Sequence, residues 1–216
     1  MQGHQESSLS FERIVFFSDA VFAIAITLLV LEIKPPHIEE LSESALAHGL
    51  VKLIPKFTGF VVSFLIVGAM WIEHHRIFRY LKNYDGGLLW RNLVHLLTIS
   101  FIPFPTALFS EYFWSRTAFI LYTASFGAAG LTKFWVWRYA TAKRDFAGVG
   151  GELVIKRVSR RSLAVPLACC TAILLSLISV LAAPVGFALI PVYARLLDPT
   201  RRIADTQPAQ EESPTT

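Results

Sequence analysis

"RIVFFSDAVFAIAITLLVLEI", residues 13 to 33, is an apolar segment long enough to cross a membrane, with Arg13 at its head and Ser18-Asp19 inside it. A plain anchor has no use for that carboxylate. At the centre of a spanning helix it costs about 2.5–3.5 kcal/mol, and less toward the interface. The stretch therefore announces a membrane helix with a task beyond anchoring, and the rest of the chain is read outward from it.

Composition agrees with the membrane. Of 216 residues, 54% are apolar and 17% charged, with a mean hydropathy of +0.51, whereas soluble domains carry about 25% charged residues. No cleavable signal peptide is evident, because the first twelve residues are polar and the apolar run after them is too long for a signal core. The two cysteines, Cys169 and Cys170, are neighbours in an apolar run and read as small core residues rather than a disulfide framework.

A crossing helix needs about 20 mostly apolar residues. Ile14–Ile33, Leu53–Phe78, Leu88–Phe109 and Ala118–Tyr139 meet that length. Ser162–Leu197 is too long for one span, and "LAAPVGF" with Pro184 and Gly186 divides it into a fifth and a short sixth. Charge supports the count. Arg76, Arg79, Lys82 and Arg91 lie between spans two and three. Lys143, Arg144, Lys156, Arg157, Arg160 and Arg161 lie between four and five, and Arg195, Arg201 and Arg202 close the chain. The alternate connections are non-basic, with Lys34 against Glu39, Glu40 and Glu43, Arg116 against Glu111, and an uncharged last turn, so the positive-inside rule puts both termini in the cytoplasm. The expected fold is all-α, a polytopic membrane protein with six transmembrane helices per subunit. Residues 1–12 form a cytoplasmic N-terminus, 13–202 the six-helix domain and 203–216 a polar, disordered tail. Residues 34–51 and 140–161 read as loops, the second with a flexible "GVGG" at Gly148–Gly151.

No H-E-x-x-H, G-x-S-x-G or cysteine cluster is present, so an enzyme is not expected. Adjacent His74 and His75 in "WIEHHRIF" project about 100° apart on a helix and make a poor joint metal site. They read as interfacial histidines, Glu73 as a partner of Arg76, and His95 as a hydrogen-bonded core histidine. At about 100° per residue, Phe17, Ala20, Ile24, Thr27, Leu28 and Leu31 share one stripe of the first helix, with Ser18 and Asp19 off it. Two readings stay open. The stripe faces lipid or core, or it faces an axis shared by several subunits while Ser18 and Asp19 bond inward to the other helices.

"RIVFFSD" resembles the Arg-x-x-x-Phe-Ser-Asp signature of the endosomal and lysosomal potassium channel family and its prokaryotic relatives, with Arg13, Phe17, Ser18 and Asp19 at the signature positions. "AIAITLLVLE", then Trp71-x-x-His74 with His75 and Phe78, then "RNLVHLLTISFIPFPTAL" with Asn92 and Pro103-Phe104-Pro105-Thr106, extend the resemblance through three spans. It implies a six-helix subunit, homotetrameric around its first helices. Ile24 would form the narrowest ring, Thr27 the hydroxyl layer, and Leu28 and Leu31 further pore positions. It further implies a buried polar network of Arg13, Asp19, Trp71 and His74, with Phe17, Ser18 and Asn92 as further structural members. No "TVGYG" filter is present. The resemblance thus gives a potassium-permeable cation channel with a hydrophobic gate and modest potassium over sodium preference, in the plasma membrane. Its partners are further copies of the chain and the bilayer, not nucleic acid, and it needs no cofactor or metal beyond permeant K+. A proton-conducting channel or proton-coupled transporter using Asp19, His74 and His95 is the alternative.

Overall fold

The computed structural model describes residues 2–38, 42–81, 83–143, 152–179 and 182–198. The first helix, α1 (Gln2–Leu31), runs unbroken because nothing in it interrupts the backbone ladder. Lys34-Pro35-Pro36 follows it, and the residue before a proline is pushed out of helical geometry. A short helix, α2 (Glu43–Lys52), begins where Ser42 accepts a hydrogen bond from the Ala45 amide at 3.2 Å. Residues 34–51 are therefore not simply a loop. Leu53 joins α2 to α3 (Ile54–Phe78), whose second residue is Pro55, placed where no amide donor is needed.

The third span is in two pieces, α4 (Gly86–Phe101) and α5 (Pro103–Glu111). Asp85 caps α4 by accepting from the Leu88 amide at 2.8 Å, and Pro103 with Pro105 breaks the ladder at Ile102. Ser115 caps α6 (Arg116–Ala142), a 27-residue helix. Then come α7 (Glu152–Arg161), α8 (Ala164–Ile178), α9 (Val185–Ala188) and α10 (Ile190–Leu196). The 140–161 segment thus carries a helix, α7; its "GVGG" lies outside the described residues, as does the tail 203–216.

Among the described residues, four stretches are long and apolar enough to cross a membrane: Phe11–Leu31, Ile54–Phe78, Gly86–Glu111 and Ile155–Ile178. α6 has the length but carries Lys133 and many small residues, and Val185–Leu196 is shorter.

α6 occupies the middle, packed mainly on α4 and α8, whereas α1 sits at the edge against α3, α4 and α5. The central core joins Phe22 and Ala25 of α1 to Val67 and Met70, Leu96 and Ile99, Phe126 and Ala129. A second cluster at one end gathers Ile77, Phe78, Leu88 and Trp137 with Phe11 and Ile155. That end also carries Arg76, Arg79, Arg91 and Lys143. Between helices, small residues permit close approach. A Cβ on Gly130 would stand 2.9 Å from Pro166 Cδ, and one on Gly186 only 2.5 Å from the Cα of Ala172. Of the cysteines, Cys169 is core while Cys170 is exposed.

Candidate functional site

The first helix presents two faces of opposite character. Ser18, Phe22, Ala25 and Leu29, spaced three or four apart, are almost wholly buried. The stripe turned away from them is open: Phe17, Ala20, Ile24, Thr27, Leu28 and Leu31 are all exposed, Ile24 to 58% and Leu31 to 67%. The protomer's own core therefore does not claim the stripe. Thr27 Oγ1 donates to the Ile24 carbonyl at 2.9 Å, which satisfies the hydroxyl proton and leaves its oxygen lone pairs outward.

What fixes this orientation is polar. Asn92 of α4 donates from Nδ2 to Ser18 Oγ of α1 at 2.9 Å, and Ser18 in turn donates to the Ile14 carbonyl at 2.8 Å. The Asn92 carbonyl oxygen faces His74 Nε2 of α3 at 3.0 Å, so this nitrogen carries the proton. One buried amide thus ties three helices together, and the Ser18, Asn92 and His74 side chains are all buried. A hydrocarbon environment offers no water to replace a lost partner.

Asp19 belongs to a separate, more open contact: Trp71 Nε1 donates to its Oδ1 at 2.8 Å. The network expected from the resemblance is therefore divided, with Ser18, Asn92 and His74 in one part and Asp19 with Trp71 in another. His74 bonds Asn92, Asp19 bonds Trp71, and Arg13 makes no hydrogen bond or ion pair among the described residues. Arg13 and Phe17 instead line a groove of about 640 Å3 between α1 and the start of α4, with Leu89, Trp90 and Leu93.

Other polar groups are placed differently from the sequence reading. His74 is buried, not interfacial, while His75 is exposed. Glu73 pairs with Lys133 of α6, not with Arg76. Nothing local in the sequence distinguishes a partner three residues away from one sixty residues on. His95 is buried as expected, with Nδ1 at 3.0 Å from Thr132 Oγ1, and its ring stacks on that of His74 at 5.6 Å. His74 Nδ1 and His95 Nε2 are buried without a partner among the described residues. A second polar knot, Ser63, Thr106 and Tyr122, joins α3, α5 and α6 through two contacts of 3.1 Å. It went unread because isolated hydroxyls in apolar runs carry no spacing signal.

At the basic end, Asp85 also accepts from the Tyr139 hydroxyl at 2.7 Å and pairs with Lys143. These contacts, Lys143 foremost, hold its carboxyl down at about 2, and the same pair raises the Lys143 ammonium. Arg91 lies over the rings of Tyr139 and Trp135 at 3.8 and 4.7 Å. No group of three or more metal-binding side chains gathers among the described residues.

A bundle of membrane-length helices, with one edge helix clamped by its polar face, is a polytopic helical membrane protein. The chain belongs to the TMEM175 family of ion channels, which is not a family of enzymes. The family model described as "Endosomal/lysosomal potassium channel TMEM175" matches residues 13–103. A potassium channel of Chamaesiphon minutus is 41% identical over 139 residues, covering 62% of this chain and 68% of the relative. One of Streptomyces collinus is 44% identical over 100 residues, covering 46% of this chain and 48% of the relative, so this chain spans only about half of that protein. The crystal structure of a lysosomal potassium-selective channel TMEM175 homologue from Chamaesiphon minutus superimposes with a TM-score of 0.73. It is 34% identical, covering 88% of this chain and 98% of that one. Vertebrate members described as endosomal/lysosomal proton channels match as well.

Proposed function

We propose that this protein is a potassium-permeable cation channel, assembled as a homotetramer of six-span subunits around the exposed stripe of α1. It sits in the plasma membrane with both termini cytoplasmic. The observation that carries the reading is the division of α1: its polar face is clamped by Asn92 and Trp71, and Ile24, Thr27, Leu28 and Leu31 are left together on the opposite, unoccupied face. The names of the prokaryotic relatives support potassium as the permeant ion.

In this assembly four Ile24 side chains form the narrowest ring. Such a ring offers a cation nothing to coordinate. Complete transfer of a small ion into apolar surroundings costs on the order of 20 kcal/mol in the Born limit, enough to stop conduction. A tight ring is then a gate closed by dewetting, and opening widens it until the ion passes with much of its water. Selectivity rests on hydration cost, with the Thr27 hydroxyls assisting, and potassium sheds water more readily than sodium. Asp19 serves to hold the helix rather than to bind the ion.

The test is flux from liposomes holding purified protein under a potassium gradient, with sodium and protonophore controls. Ile24→Asn is expected to raise the leak, and Thr27→Ala to lower potassium preference. No potassium flux from well-folded wild type and Ile24→Asn protein refutes the channel. The second reading is proton conduction or proton-coupled transport, and it draws on the stacked, partly unpartnered His74 and His95. Saturable, strongly pH-dependent flux that stops on adding protonophore decides for it.

A further inference from the structure

The basic end carries one feature the pore does not use. Arg76, in the last turn of α3, and Arg161, at the end of α7, line the same cleft with Ile77, Val158, Ser162 and Glu73. Both arginines are exposed, and neither has a hydrogen-bond or ion-pair partner among the described residues. The one acid in the cleft, Glu73, is committed to Lys133. Arg157 of the same helix is bonded to Asp198 at 2.9 and 3.0 Å. Arg160 adds a further exposed cation on α7.

The position of this cleft along the bundle points to its ligand. Ile155 and Val158 press α7 onto the core cluster at this end. Arg161 ends α7, three residues before the apolar α8 (Ala164–Ile178) begins, which sets it at the polar mouth of that helix, at the level of lipid headgroups. The cleft itself holds only about 30 Å3, the share of a single water, so an anion rests on its rim between the guanidinium groups rather than inside. Planar guanidinium groups suit phosphate oxygens, and Ile77 with Val158 supplies an apolar wall.

We propose that Arg76 and Arg161 clasp the phosphate of an anionic membrane lipid against the α3–α7 cleft. The partner is a phosphate-bearing lipid with net negative charge, bound at each subunit from the leaflet at the basic end.

Native mass spectrometry of the detergent-purified full chain tests this, with phosphatidylglycerol as probe and phosphatidylcholine as reference. Arg76→Gln/Arg161→Gln is expected to lose phosphatidylglycerol retention by roughly fivefold per arginine, hence roughly 25-fold in all, from the usual surface attraction per cation. Arg161→Gln alone should lose roughly fivefold and keeps α3 intact should the double variant fold poorly. Arg116→Gln, an equal change of charge at the opposite end, should bind like wild type. Unchanged retention in Arg161→Gln overturns the proposal, as does an equal loss in Arg116→Gln, which would mean attraction by net charge alone. Competition by millimolar inorganic phosphate also overturns it, since the cleft would then be reading free anion without need of a lipid.

Discussion

The pair between Lys133 and Glu73 is lopsided, and that asymmetry makes a quantitative test. The Lys133 side chain is 1% exposed, whereas that of Glu73 is 34% exposed. Changing Glu73 to Gln leaves an ammonium buried in the bundle beside His74 and His95, with no carboxylate to answer it. Stranding one charge of a buried pair costs about 3–5 kcal/mol. Changing Lys133 to Met keeps the apolar stem and leaves Glu73 in reach of water, where an ion pair is worth about 0–1 kcal/mol. The double variant Lys133→Met/Glu73→Gln removes the buried charge altogether and should recover most of the loss. For a chain of this size 1 kcal/mol corresponds to about 2–4 °C, so Glu73→Gln should melt about 10 °C below wild type and the other two within a few degrees of it. Thermal ramps of detergent-purified protein, read by the fraction remaining monodisperse on size exclusion, give the ordering. Lys133→Met falling as far as Glu73→Gln refutes the reasoning, and so does a double variant no better than Glu73→Gln.

Asn92→Leu should be among the most damaging single changes in the bundle, because it strands His74 at about 1–3 kcal/mol and takes from Ser18 the bond that crosses to α4; thermal melting measures it, and a loss under 1 kcal/mol removes Asn92 as the three-helix tie. Asp19→Asn keeps an acceptor for Trp71 but loses its charge, and is expected to weaken assembly before it alters ion preference. Size exclusion alongside liposome flux checks that order, and normal oligomers with changed preference reverse it. The Asp85 carboxyl lies near 2 in the folded chain against an ordinary 3.8, so its contribution is complete above about pH 3.8 and vanishes as pH falls toward 2. Asp85→Asn should flatten that acid limb in a melting-versus-pH series, and an unchanged limb would assign it to other groups.

How much of this was readable follows from the kind of signal each feature carries. Repeating apolar spacing is strong over long stretches, so the long spans and the two faces of α1 were legible. α2 and α7 were missed as helices because short polar segments with glycine, serine or arginine look alike whether coiled or helical. Among the described side chains of α7, Ile155 and Val158 pack on the core. The Ser18–Asn92–His74 tie was legible residue by residue, but its wiring was not. Which of Ser18 and Asp19 points at Asn92 is decided by the rotation of α1 against α4, and only packing of Phe22 and Ala25 sets that rotation. The Glu73 partner was missed for a related reason: on paper Arg76 is near, whereas in space Lys133 is driven to Glu73 by having no water of its own.

The final helical stretch has a consequence for the lipid around it. Val185–Leu196 is 12 residues, roughly 18 Å at about 1.5 Å per residue, beside a hydrocarbon layer of about 30 Å. Gly186 cannot slide to lengthen it, since it is seated on the backbone of Ala172. Leu174, Leu177 and Ile178 of α8 stand exposed next to it, Ile178 to 84%. The outline of the protein is thus taller at α8 than at its neighbour, and the leaflet must dip there to meet it. Such a step makes this corner respond to membrane thickness, so that thin bilayers relieve it and thick ones load it.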